Sequence, residues 1–192
     1  MNSSTRRDRI GWKSYLIKIA ALFMLLTSWS IAKSQTSHFY RDRAMEKMVK
    51  GDDAGLISDC TMIIALDEDD VGVQCAYTER AMASFRLKDY RSTITDLTTL
   101  IELIPKREKP YYLLVNAYYR RGYAKEKISD HGGAITDYTH VIESLPKKAM
   151  TGIKSWTEME AWAYFRRGQL NLSLPDQRDR ACLDLSMACE LG

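Results

Sequence analysis

Histidine is scarce in this sequence: His38, His131 and His140 are the only three, and none stands with others at metal-ligand spacing. Catalytic signatures are missing too, with no nucleophile elbow, phosphate-binding loop, HExxH or paired CxxC anywhere in the chain. These absences leave no catalytic residue, metal or cofactor to expect, and they point away from an enzyme. His131 falls where a turn between helices is expected, and His140 on an exposed helix face.

A long hydrophobic run is also lacking. The most apolar stretch, "IAALFMLLTSWSIA" from Ile19 to Ala32, falls short of the ~20 residues that a membrane-spanning helix needs. Arg6, Arg7, Arg9, Lys13 and Lys18 precede it and small residues follow, which is the layout of a secretory signal. The expectation is a signal peptide over 1–34, cut after Ala32 or Ser34, and export to the periplasm or beyond. The alternative is an uncleaved anchor over 15–32, with Lys18 reaching back to the interface. No cysteine follows the apolar run to carry a lipid. Asp8 and Arg9 add more charge beside Arg6 and Arg7 than a twin-arginine signal carries.

Export changes the charge that matters. The chain's formal +3 includes six of its 28 Lys and Arg and one of its 25 Asp and Glu in residues 1–34, leaving 22 and 24, a net charge near −2. A nucleic-acid partner is therefore not expected.

Only four cysteines occur, Cys60, Cys75, Cys182 and Cys189. Cys182 and Cys189 stand seven apart on an expected helix, about 10 Å by rise alone, and cannot bridge each other. Cys60 and Cys75 lie on neighbouring expected helices; they either pair or act as small apolar side chains.

What the sequence does contain is repetition. Residues 93–105 read "TITDLTTLIELIP" and residues 134–146 read "AITDYTHVIESLP"; "ISDCTMIIALDE" (57–68) and "CLDLSMACELG" (182–192) complete the set. Asp59, Asp96, Asp137 and Asp184 hold one place, each followed two residues later by Thr61, Thr98, Thr139 or Ser186. Upstream lie Arg43-Ala44, Arg80-Ala81, Arg121-Gly122 and Arg167-Gly168. The Arg spacings are 37, 41 and 46 and the Asp spacings 37, 41 and 47, so the two signals keep step. Self-similarity at this period means a solenoid of supersecondary units.

Each unit reads as two helices. In the third, Ala134, Ile135, Tyr138, Val141, Ile142 and Leu145 recur at intervals of three and four after the turn "SDHGG", and Pro146 stops the helix. In the second, Ile94, Leu97, Leu100, Ile101 and Ile104 follow "KDY" and precede Pro105. Gly122 and Ala81 let the paired helices approach closely. An insertion before the third unit places Pro110 at a helix start. Another, before the fourth, carries Thr157 with Glu160 in capping-box spacing, predicting a helix over about 157–173. The recurring Arg and Asp form either a ladder of ion pairs that fixes register or a row of solvated charges.

The third unit, "AYYRRGYAKEKISDHGGAITDYTHVIESLP", resembles the tetratricopeptide repeat: Gly122 and Ala124, the Asp130 turn, Ala134, Tyr138 and the closing Pro146. The likeness extends over about 37–192, with Thr93 and Leu56 where the family has a small residue, Glu68 for the terminal proline, and one residue inserted near Arg180. It implies an all-α fold, an α-solenoid of about four such helical hairpins at about 37–70, 74–107, 115–148 and 161–192, within a domain over 35–192.

The resemblance also implies a non-catalytic protein-binding module whose first helices line a concave groove. The matching places are His38, Arg41, Met45, Thr78, Met82, Phe85, Asn116, Tyr119, Tyr123, Trp162, Phe165 and Gln169. Aromatic residues and methionine dominate interface energetics, although any one of these residues can instead belong to the core between repeats. The partner expected is a protein or peptide. The Lys/Asn/Arg clamp by which some relatives hold a C-terminal carboxylate is absent from these places. The alternative is a membrane-anchored or self-associating scaffold that uses the outer face of the last helix, where Leu183 and Met187 have no following repeat.

Overall fold

The computed structural model describes residues 4–66, 70–104, 111–145 and 154–192. Pro105, Pro110 and Pro146, expected to bound helices, and Glu68 lie outside the described residues. Among those described there is no strand. Eight α-helices follow in order: α1 Ser4–Lys50, α2 Asp53–Leu66, α3 Asp70–Arg86, α4 Tyr90–Leu103, α5 Tyr111–Lys127, α6 His131–Ser144, α7 Lys154–Leu172 and α8 Arg178–Leu191. A short 3-10 turn over Pro175–Gln177 links the last two. The substantial helix contacts join helices consecutive in sequence, as expected of stacked hairpins.

Helix α1 runs unbroken through the expected signal boundary because residues 4–50 contain no proline and a single glycine, Gly11. Gly51, with φ 70°, ends it in the left-handed conformation that glycine adopts without steric cost. The next two hairpin turns use Lys88 and Ser129 at the same place, both at φ 63°. Each left-handed residue is followed by an aspartate that caps the second helix. Asp52 accepts from the Gly55 amide at 2.9 Å, Asp89 from Ser92 at 3.1 Å and Asp130 from Gly133 at 3.0 Å. The Gly55 amide at Asp52, and the Ser92 hydroxyl together with its amide at Asp89, hold the carboxyl below its ordinary range. The fourth hairpin uses the 3-10 turn instead, which accommodates the extra residue near Arg180. Helix α7 is already helical at Lys154, a turn before the Thr157–Glu160 pattern predicts.

The core lies between consecutive hairpins, where branched residues of a second helix meet one small residue of the next first helix. Leu56, Cys60 and Ile63 cluster with Ala76. Leu97, Leu100 and Ile104 cluster with Ala117, and Tyr138, Val141, Ile142 and Leu145 with Ala163. Alanine at these three places brings the helix axes close, which sets the pitch of the stack.

All four cysteines are free thiols; Cys60 is buried and Cys75, Cys182 and Cys189 are exposed. Burial pushes the Cys60 thiol up from 9.0 to about 12. The folded state thus keeps this proton where the unfolded chain loses it, so the group's contribution to stability falls as pH rises from about 9 to about 12. Native alkylation at pH 8 followed by mass spectrometry is expected to label the three exposed cysteines and spare Cys60 until denaturant is added, since the thiolate is the nucleophile.

Candidate functional site

Two constructions run along the stack, one on each side of the first helices. The first is the ladder. In every hairpin the arginine of the first helix forms a two-pronged pair with the aspartate of the second: Arg43 with Asp59, Arg80 with Asp96, Arg121 with Asp137 and Arg167 with Asp184. In the second, third and fourth hairpins Nη2 donates at 2.7 Å and Nε at 2.8–3.0 Å. The remaining nitrogen, Nη1, crosses to the previous repeat. It donates to the hydroxyl of Thr61 from Arg80 at 3.0 Å, of Thr98 from Arg121 at 3.1 Å and of Thr139 from Arg167 at 3.0 Å. Each threonine in turn donates to the carbonyl four residues back.

An aromatic ring three residues upstream lies under every guanidinium, Tyr40, Tyr77, Tyr118 and Tyr164, at 5.0–5.6 Å. Arginine is suited to this place because its rigid fork offers two donors to a carboxylate while a third stays free for the neighbour. The ladder of the two readings is thus the one formed. Its threonines were legible as a recurrence at a fixed offset, yet only the folded chain shows that the arginine gathers them with the tyrosines.

The second construction is the groove. Phe85 on α3 stacks on Tyr123 on α5 at 5.5 Å. The guanidinium of Arg166 on α7 lies 4.9 Å from the Tyr123 ring and 5.9 Å from Trp162, and Trp162 meets Phe165 edge-on at 5.8 Å. Lys127 covers Tyr123 at 4.8 Å. A continuous stripe of rings and cations therefore crosses three successive first helices. A hollow of about 220 Å³ between α3, α4 and α5 is lined by Met82, Phe85, Tyr119, Arg120 and Tyr123. A second, of about 380 Å³, brings Arg41 and Met45 together with Met48 and Val71.

The expected groove residues divide accordingly. Phe85, Tyr123, Trp162 and Phe165 form the stripe, and Met82 joins it at the hollow. Tyr119 lines the same hollow but packs against the third core cluster beside Tyr138, and burial raises its phenol pKa. Arg41 and Met45 belong to the separate hollow nearer the first hairpin. Thr78 donates to the Gln74 carbonyl at 2.8 Å, Asn116 accepts from Arg120, and Gln169 is exposed outside these hollows. His38 is exposed on α1. The cations Arg120, Lys127 and Arg166 were missed in the sequence because the repeat pattern does not hold their places constant.

Among the described residues no group of His, Cys, Asp and Glu can hold a metal ion, and no helix is long and apolar enough to cross a membrane.

Four hairpins stacked in this way define a tetratricopeptide-type α-solenoid. The chain belongs to the bacterial transcriptional activator domain family, whose sequence profile matches residues 35–147. The fold is shared by solved structures, among them two of MamA. The crystal structure of MamA superposes with a TM-score of 0.62 at 21% identity, covering 81% of this chain and 77% of MamA's. The MamA RS-1 ArsTM double mutant gives 0.63 at 16% identity, covering 81% and 75%. No curated protein matches the sequence.

Proposed function

We propose that this protein is a non-catalytic protein-interaction module that docks a segment of another protein along the groove of its first helices. The observation that carries the reading is the stripe Phe85–Tyr123–Arg166–Trp162–Phe165, in which rings and a guanidinium lie side by side on the surface. Trp162 is 49% exposed, so it offers aromatic area that nothing in the described chain covers. Rigid aromatic anchors of this kind lose little entropy on binding. Arg120, Lys127 and Arg166 favour a segment that carries carboxylates between apolar side chains.

The family's name places such domains in bacterial transcriptional activators; a direct role at DNA is not carried over, because residues 35–192 have a net charge near −2. Export is part of the proposal. Among the described residues of α1 the apolar side chains from Ile19 to Ile31 stand in the open, with Phe23 67% and Trp29 73% exposed, and the first that is buried is Ser37. The family match begins at residue 35, beside the expected cut. The mass of the protein recovered from cells decides between a chain starting at Lys33 or Gln35 and one that keeps its N-terminal segment.

For the groove, Tyr123→Ala and Trp162→Ala are the informative substitutions, because Tyr119 doubles as core. Crosslinked capture from the cell envelope is expected to recover a partner with the wild type and lose it with either variant, each change weakening binding by about 2 kcal/mol. Circular dichroism should show both variants folded. Retention of the partner by both moves the binding site off the groove and refutes the proposal.

A further inference from the structure

On the ladder side of the stack, between the third and fourth hairpins, lies a hollow of about 660 Å³, within the size range of small-molecule sites. Side chains of α6, α7 and α8 wall it, and the link between α7 and α8 contributes Leu174 and Gln177. It includes the last rung of the ladder, Thr139, Arg167 and Asp184, and shares no residue with the stripe from Phe85 to Phe165.

Three departures of the fourth hairpin from its neighbours converge here. Asp184 stands 17 residues after Arg167, where the other three pairs are 16 apart, and the 3-10 turn accommodates the extra residue. Leu183 occupies the place of Ser58, Thr95 and Thr136 and is 67% exposed. Asn171 occupies the place of Lys125, whose ammonium reaches the buried Asp137 at 2.9 Å. Asn171 is only 5% exposed and lines the hollow, and its carboxamide has no hydrogen-bond partner among the described residues; only its backbone is engaged. A carboxamide so far removed from water is costly unless something supplies the missing bonds.

The lining states what that ligand carries. Its four charged side chains, Arg167, Asp184, Arg180 and Glu143, sum to zero, which disfavours a phosphate or another polyanion. Arg167 and Asp184 are taken up by each other. Arg180 on α8, with a long 3.5 Å bond to Gln177, and Glu143 on α6 are exposed and offer opposite charges. Asn171 offers donors and an acceptor, the complement of a peptide group. Leu174 and Leu183 offer apolar surface, 41% and 67% exposed.

We infer that this hollow binds a short peptide with free ends, about two or three residues long. Its carboxylate pairs with Arg180, its ammonium with Glu143 and a peptide group with Asn171, while an aliphatic side chain lies against Leu174 and Leu183. The site is separate from the groove and does not depend on the groove's partner.

The test is isothermal titration calorimetry of the full chain, in one mild detergent throughout, with the dipeptide leucyl-leucine. Wild type is expected to bind it saturably at a single site. Asn171→Leu should weaken binding by about tenfold or more, yet thermal unfolding should find the variant at least as stable as wild type, because an apolar side chain replaces an unpartnered amide. Acetylating the dipeptide's amine should weaken binding to wild type about tenfold and to Glu143→Gln no further. Amidating its carboxylate should do the same for Arg180→Gln. Both positions are exposed, so these two variants report on the site even if Asn171→Leu misfolds. Tyr123→Ala, which breaks the stripe, should bind the dipeptide as wild type does. No saturable binding at millimolar dipeptide, an Asn171→Leu variant that loses stability but keeps affinity, blocked ends whose effects simply add to those of the substitutions, or loss of binding in Tyr123→Ala would each overturn the inference.

Discussion

Asp137→Ala is expected to lower the stability of the protein by about 3–5 kcal/mol. The carboxylate is fully buried and bonds two cations, accepting from Arg121 Nη2 at 2.7 Å and Nε at 3.0 Å and from Lys125 Nζ at 2.9 Å. Arg121 and Lys125 are themselves only 14% and 17% exposed, so removing the aspartate leaves two largely dehydrated positive charges facing each other. Arg121 also holds Thr98 of the preceding repeat, which carries the disturbance across the junction. Urea unfolding monitored by circular dichroism checks the value. The control is the exposed Glu46–Lys50 pair on α1, where alanine should cost far less because water replaces the partner. Equal losses at the two sites would mean that the ladder is solvated in solution. A loss of this size is a large fraction of the ~5–15 kcal/mol that holds a typical domain together.

The second large effect is expected at Tyr138, the largest fully buried side chain among the described residues. Its ring fills the space left by Gly122, where a Cβ would come within 3.1 Å of the ring's Cε1. Its hydroxyl donates to Glu126 Oε1 at 2.6 Å, and burial, aided by that bond, raises the phenol pKa. Tyr138→Ala should cost about 3–5 kcal/mol through lost contacts and an unfilled cavity. Tyr138→Phe should cost only about 1–2 kcal/mol, the hydrogen bond alone, since Glu126 keeps Arg166 as a second partner at 3.5 Å. The same denaturation measurement separates the two. A phenylalanine variant as unstable as the alanine one would place the main stabilisation in the hydroxyl and not in the ring.

Both residues were visible beforehand as members of a repeat, and their different fates show where sequence reasoning stops. Asp137 was identified by its recurrence with Asp59, Asp96 and Asp184, but a recurrence is equally compatible with a buried pair and a solvated charge. Only packing decides how much water reaches the carboxylate. Tyr119 and Tyr123 lie four apart and both read as groove anchors. In the fold Tyr119 turns partly into the core beside Tyr138, while Tyr123 joins Phe85 and Arg166 on the surface. A helix of 3.6 residues per turn rotates by about 40° over four positions, enough to carry one side chain across the boundary between core and groove.

The sequence by itself determined the helical hairpins, their number and their phase, because these depend on local signals: apolar spacing, Asp caps at the turns, and a small residue where paired helices touch. It also determined which side chains recur, and so named the Arg and Asp of each hairpin as candidates for pairing without deciding that they pair. The tertiary structure alone decided what passes between hairpins. The third nitrogen of Arg80, Arg121 and Arg167 and the stripe from Phe85 to Phe165 each involve residues from elements brought together only by the stack. Their positions depend on pitch and rotation, which are sums of many packing contacts and are written at no single place in the chain.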